Sequence, residues 1–411
     1  MLNFVGRRQQ ILERLMALVQ NNAMSQPDEE RAVTKPLHAP LSHYTTFGFL
    51  WYPIILAGAS ALLTLGLGFV GRVSIENVFP ATFREIWARW DTIHYLAIAG
   101  HGYPKQGDAV FLVCFFPLYP ILIRVVAFAF QLQDLFVAAV VVSNLAFGVG
   151  LVFLQELVNL DFESPVSNAA LLFCVAFPVG YFFHVAYTES LFFAVSLGTF
   201  YFARKGQWWA AGVLGFLSGI TRLPGLVLTP ALIMEYLYQR QFRLRDLRWS
   251  GLFTLMPALG FGVYLAMNYV LFGDPFRFLE IQAQLFVRKV DFPWVGFMDD
   301  WRALFTADAS TRFLVRGEQV LFFFLTSGTL LWSAFKLRPA YTVYGALLWL
   351  LTFCYGFWLS IPRMVMVIFP LYIFLGWLTY KRPALRQSLL FGSTLLYAIG
   401  LIQFARGWWA H

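Results

Sequence analysis

The chain has 411 residues, of which 59% are hydrophobic and 19% aromatic while only 13% are charged, and its mean hydropathy is +0.65. A soluble domain carries about a quarter charged residues, so this balance excludes one. The formal net charge of +8 is scattered among apolar runs rather than gathered in one basic domain. That argues against a nucleic-acid partner and for a positive bias on cytoplasmic loops.

In chain order, residues 1–46 are polar, contain Pro27, Pro36 and Pro40, and have no early apolar core. They read as a cytosolic N-terminal tail rather than a signal peptide, with room for an amphipathic helix over residues 4–19. Residues 47–411 then read as one membrane-embedded domain. Apolar runs recur there at lengths near the roughly 20 residues needed to cross a bilayer: 47–70, 136–158, 168–185, 188–203, 207–221, 223–239, 250–271, 314–335, 340–359, 364–380 and 388–405.

The connectors at 204–205, 240–248, 336–338 and 381–386 are rich in lysine and arginine, which puts them in the cytoplasm. The first run then exits. Residues 71–135 become a first outer loop and residues 272–313 a second. Residues 110–130 are apolar enough to cross, but Pro117, Pro120 and Arg124 interrupt them, and they read as a helix lying in the interface. The expected fold is all-α and integral to the membrane. It is a polytopic bundle of about eleven transmembrane helices with a large first extracytoplasmic loop carrying interfacial helices, and it has no inverted repeat of the transporter kind. Cys114, Cys174 and Cys354 sit far apart in apolar runs and read as small hydrophobes, not as a disulfide or ligand set.

Residues 89–103, RWDTIHYLAIAGHGY, carry a carboxylate, Asp91, beside Arg89, His94, Tyr103 and further aromatics just past the first apolar run. A lone acid at the mouth of a membrane bundle is costly to desolvate and marks chemistry or transport. Three more charges flank apolar runs on the same expected face: Glu189 in YTES, with Tyr187 and Thr188 in reach to hydrogen-bond it, Arg222 in TRLPG and Arg363 in SIPRM. A base facing guanidinium groups, whose fork matches phosphate oxygens, suits an inverting transfer in which a hydroxyl is deprotonated as a phosphate departs. The plainer reading is that these charges pair and seal helix ends.

On a helix Asp91 and His94 share a face and could bind a metal, but Gly100 and Gly102 are expected to end that helix and no third ligand is evident; a hydrogen-bonding histidine is the favoured reading. A divalent metal stays possible. Residues 273–294, with Arg277, Gln284, Arg288 and Lys289 among aromatics, either cover a cavity or lie on head groups. The phosphate loop GxxxxGK[ST], HExxH, GxSxG and an Asp-x-Asp pair are all absent, with Asp299–Asp300 the nearest approach, so a soluble nucleotide donor is not indicated.

RWDTIHYLAIAGHGY, FFPLYP (115–120), AYTES (186–190), TRLPG (221–225) and SIPRMVMVIFPLY (360–372), in that order, resemble the PIG-V-type mannosyltransferase family. That family belongs to the GT-C superfamily of polyprenyl-phosphate-sugar-dependent glycosyltransferases, and the match runs from about residue 84 to about residue 371. The resemblance implies transfer of a sugar, typically mannose, from a polyprenyl-phosphate carrier on the extracytoplasmic or luminal side. Asp91 takes the place of the superfamily's essential acid in the first outer loop. Arg89, His94, Tyr103, Tyr187, Glu189, Arg222, Arg288 and Arg363 are the expected substrate-binding residues. Expected partners are the lipid-linked sugar donor, a glycan, lipid or protein acceptor, and membrane lipids.

Eukaryotic members add the second mannose to the glycosylphosphatidylinositol precursor in the endoplasmic reticulum; a bacterial plasma membrane is the favoured setting for this compact chain. The acceptor does not carry over with the motifs. Two other classes compete: a lipid or solute transporter or flippase, which predicts charged pairs at mid-bilayer and a repeat, and a non-catalytic assembly factor, which predicts charges that do not converge on a pocket.

Overall fold

A computed structural model describes residues 51–76, 83–285, 289–308 and 311–408. The expected tail at 1–46, its amphipathic helix and Arg288 lie outside the described residues.

Among the described residues the fold is all-α, with a single isolated β-bridge between Val290 and Tyr355. Helix α1 (Trp51–Glu76) is followed by α2 (Phe83–Trp87), α3 (Asp91–His101), a 3-10 turn (Asp108–Cys114) and α4 (Leu118–Ala129). The central helices are α5 (Leu135–Asn159), α6 (Ser164–Val175), α7 (Glu189–Arg204), α8 (Trp208–Gly219) and α9 (Leu228–Gln239). Then come α10 (Met256–Phe272), α11 (Arg277–Leu285), α12 (Pro293–Thr306), α13 (Glu318–Lys336), α14 (Pro339–Phe353), α15 (Ile361–Val365), α16 (Pro370–Thr379) and α17 (Pro383–Ala405).

Among the described residues four helices are long and apolar enough to cross a membrane: Trp51–Val73, Leu135–Asn159, Trp249–Phe272 and Pro383–Ala405. A fifth arises if the pair Asp108–Cys114 and Leu118–Ala129, bent by 94°, is one span. Length and composition therefore support a multi-pass membrane protein but not the expected eleven crossings. Proline explains much of the shortfall, because it removes a backbone donor and clashes with the preceding turn. The run 168–185 becomes α6, which stops at Val175 just before Pro178, and a separate 3-10 turn at Gly180–Phe183. The run 364–380 is split between α15 and α16, with Pro362 and Pro370 in their first turns, and 223–239 opens as a 3-10 turn around Pro224 before α9. Helix α1 runs to Glu76, past the expected exit at residue 70.

The core is built around α7, which is buried along nearly its whole length and packs on α5 and α8. In hydrocarbon, helix association rests on close packing rather than on the hydrophobic effect. At the α8–α10 crossing it depends on glycine: a Cβ on Gly219 would sit 2.2 Å from the Pro257 carbonyl oxygen, and one on Gly260 2.2 Å from that of Phe216.

Candidate active site

Both acids of the site open helices, where the first-turn N–H groups favour negative charge. Asp91 is the first residue of α3 and Glu189 the first of α7. The two arginines come from non-helical breaks. Arg222 has extended backbone just before the 3-10 turn Leu223–Val227, and that turn lies so close to the end of α8 that a Cβ on Gly225 would be 2.2 Å from the Ser218 carbonyl oxygen. Arg363 lies in the single-turn helix α15.

These four side chains, from sequence positions up to 272 residues apart, meet. Arg363 donates from Nε to Glu189 Oε1 at 2.5 Å and from Nη2 to Asp91 Oδ2 at 2.7 Å. Its guanidinium carbon lies 4.5 Å from the Tyr187 ring centre and 5.1 Å from that of Phe182, so two aromatic faces fix it. Arg222 Nη1 approaches Glu189 Oε1 to 2.5 Å as an ion pair without a well-directed hydrogen bond, and its Nη2 reaches Met364 Sδ at 3.8 Å. Glu189 is fully buried, and its Oε2 has no partner among the described residues. Such a group is expensive to desolvate. The Asp91 side chain keeps 29% exposure.

A cavity of about 210 Å³ opens against this cluster. Asp91, Arg222 and Arg363 are on its wall, with Glu189 behind the arginines as their shared counter-ion. Its wall has an aromatic and polar part, Tyr95, Phe115, Phe116 and Gln282, and an aliphatic part, Leu348, Leu351 and Val367; Leu351 is 37% exposed, so the aliphatic part reaches the outer surface of the bundle.

Two non-glycine residues flank the Asp91–Arg363 pair at positive φ, Trp90 at 49° and Ser360 at 60°, and of the two Ser360 has the left-handed helical conformation. Such conformations cost on the order of 1–3 kcal/mol each. They hold the ends of α3 and α15 at the angle that brings the two charges together.

The other expected site residues stand behind the wall. Tyr187 is buried, and its hydroxyl donates to the Arg89 carbonyl at 3.2 Å rather than to Glu189; Thr188 instead faces the Tyr95 hydroxyl at 3.4 Å. The expectation that both residues bond the glutamate is therefore corrected: Glu189 takes its bonds from arginine. Arg89 turns its Nε to the Ile86 carbonyl. His94 packs between Phe111 and Phe115, with ring centres 5.0 and 4.9 Å away. Burial lowers its pKa, with Asp91 opposing. Tyr103 donates to the Phe115 carbonyl at 2.5 Å. Helix α3 ends at Gly102, φ 78°, and runs through Gly100, so only the second expected terminator acts.

Tyr95, Gln282, Tyr355 and Ser360, all on the cavity wall, were not singled out from the sequence, although Tyr95 and Ser360 lie inside the motifs RWDTIHYLAIAGHGY and SIPRM. Of the segment 273–294, Gln282 on α11 lines the cavity; farther on, the Asp291 N–H donates to the Cys354 carbonyl at 3.1 Å and the Gly356 N–H to that of Lys289 at 3.2 Å, on either side of the lining residue Tyr355. Among the described residues no cluster of three or more His, Cys, Asp or Glu side chains could hold a metal ion.

Comparison with known proteins adds the following. The chain is 32% identical over 150 residues to the GPI alpha-1,6-mannosyltransferase 2 of Mus musculus, covering 34% of this chain and 29% of that protein. It is 30% identical over 200 residues to the protein of the same name from Homo sapiens, covering 45% and 39%. The aligned part thus spans only about a third of these relatives' length. Among solved structures, the Archaeoglobus fulgidus oligosaccharyltransferase superposes with a TM-score of 0.48 at 12% identity, over 89% of this chain and 56% of that one. The family model described as Mannosyltransferase (PIG-V) matches residues 49–273, more than half of the sequence, and the chain belongs to that family.

Proposed function

We propose that the chain is a GT-C-type glycosyltransferase that moves a sugar, mannose by family, from a polyprenyl phosphate to an acceptor hydroxyl on the extracytoplasmic face, with inversion. The observation that carries this reading is the meeting of Asp91, Arg222 and Arg363 on one cavity wall with Glu189 buried behind them.

Asp91 is the general base. Arg363 holds its Oδ2, and the other oxygen takes the proton of the acceptor hydroxyl. The hydroxyl oxygen attacks the anomeric carbon from the face opposite the phosphate. The carbon–oxygen bond to phosphate breaks, and polyprenyl phosphate leaves with the electron pair. Arg222 and Arg363 stabilise the charge that grows on the departing group, which is where fixed donors lower a barrier most. Glu189 touches no substrate; it keeps both guanidinium groups aimed at one point. The aliphatic part of the cavity wall suits the first isoprene units of the carrier, and Tyr187 and His94 hold the wall.

The test is sugar transfer by the purified protein in lipid discs, with labelled polyprenyl-phosphate mannose and a hydroxyl acceptor. Asp91→Asn should lose about 100- to 10,000-fold in rate, the range of a positioned general base, with its thermal midpoint unchanged. Wild-type rates in that variant would remove the base assignment.

A further inference from the structure

The uncharged polar side chains on the cavity wall differ in one respect. Thr221 and Thr352 turn their hydroxyls to the Leu217 and Leu348 carbonyls at 2.6 and 2.8 Å, and Tyr95 faces Thr188. Gln282 makes no hydrogen bond to any described residue, although it is half-buried and faces the cavity. A primary amide carries two donors and two acceptor lone pairs. Turned to the cavity and bonded to no described side chain, they are open to a ligand that enters it.

Its surroundings narrow the ligand. Phe278, four residues earlier on the same face of α11, packs with Val113, Phe116, Tyr264 and Ile281, and Leu223 packs against that small core. Leu223 directly follows Arg222, so Gln282 stands on the Arg222 side of the cavity. Phe116 lines that side and is fixed by stacking on Tyr264, with ring centres 3.8 Å apart. A rigid aromatic wall beside one free amide, next to a guanidinium group, suits a ring whose faces are C–H and whose edge carries hydroxyls, attached to a phosphate.

We infer that Gln282 is a specificity-determining residue that hydrogen-bonds the hydroxyls of the sugar carried by the lipid phosphate. This rests on the transferase reading above and deepens it. The amide accepts from one hydroxyl and donates to its neighbour, and it contributes nothing to the hold on the phosphate or the lipid tail. It therefore discriminates between a carrier with its sugar and the same carrier without it.

The experiment measures the affinity of wild type and Gln282→Leu in lipid discs for two probes, polyprenyl phosphate and polyprenyl-phosphate mannose of the same chain length. Loss of two exposed-edge hydrogen bonds is expected to weaken the sugar-bearing lipid about tenfold and to leave the bare phosphate unchanged. Gln282→Asn, with the amide drawn back by one methylene, falls between. An unchanged ratio of the two affinities in Gln282→Leu overturns this inference alone. A wild-type protein that binds neither lipid overturns the transferase reading and the inference with it.

Discussion

Helix α7 carries a buried ion cluster at each of its ends, separated by about 22 Å along its axis. At its start, Glu189 holds Arg222 and Arg363 beside Asp91. At its end, Arg204 grips Asp161 with two bonds of 2.5 and 2.7 Å, donates to the Tyr341 hydroxyl at 2.5 Å and lies 3.8 Å from Glu235, which is also held by Arg338 at 3.2 Å and Gln239 at 2.9 Å. Both clusters contain two acids and two arginines. The difference is in what the charges face. Each cluster leaves one carboxylate oxygen without a partner among the described residues, Glu235 Oε2 in one and Glu189 Oε2 in the other. The Arg204 cluster has a two-pronged carboxylate clasp, and none of its members is on the wall of the cavity beside Asp91. The Arg222–Arg363 cluster puts Asp91, Arg222 and Arg363 on that wall. Buried charge away from a cavity joins helices; buried charge on a cavity wall is available to a ligand.

The sharpest way to break this comparison is a matched pair of substitutions. Arg204→Met strands Asp161, leaves Glu235 to Arg338 and Gln239, and should cost about 3 kcal/mol of stability, read as thermal denaturation in detergent, with turnover per folded molecule unchanged. Arg363→Met should also destabilise, and in addition lower turnover per folded molecule by about 100- to 1,000-fold, the cost of removing one transition-state donor. Equal effects of the two on turnover would erase the distinction.

A smaller effect concerns the strained backbone beside the open cluster's pair. Ser360→Gly removes a left-handed penalty of roughly 1 kcal/mol and should raise the thermal midpoint by a few degrees. It should also lower turnover, because α15 and Arg363 are then held less firmly. A rise in midpoint with undiminished turnover would mean that the strain at Ser360 does not serve the site.

The smallest effect is in pH. His94 is buried against Phe111 and Phe115, so its folded pKa lies below the ordinary 6.5. The unfolded chain then binds a proton that the folded one resists. Stability is therefore full above about 6.5, falls as pH drops toward the folded value, and levels off below it. His94→Phe should flatten the curve of thermal midpoint against pH in that acid range; an unaltered slope would show that another group governs it.

Much of the charged cluster was legible because lone charges bordering apolar runs are rare and costly, so Asp91, Glu189, Arg222 and Arg363 stood out against their surroundings. Their pairing was not. Nothing in YTES shows that Tyr187 reaches the Arg89 carbonyl while the glutamate turns to two arginines more than 30 and 170 residues later. The cytoplasmic reading of connectors 204–205 and 336–338 did not pair Arg204 and Arg338, whereas Asp161 and Glu235 draw both into ion pairs. Helix lengths failed for a local reason: hydropathy counts proline as nearly neutral, but Pro178, Pro224 and Pro370 stop or reshape helices within runs that are apolar enough to cross. Gln282 was invisible because a neutral amide in an amphipathic loop looks like any solvated residue until the cavity beside it is known.

The central claim is that the open cluster, and not the closed one, receives a lipid phosphate. A structure of the protein in lipid discs with polyprenyl phosphate bound tests it most directly. The account predicts the phosphate at the cavity wall, its oxygens within about 3 Å of guanidinium nitrogens of Arg222 and Arg363, with the isoprene chain leaving past Leu348 and Leu351. A phosphate bound at Arg204 and Arg338, or at a third place with the cavity empty, would contradict it.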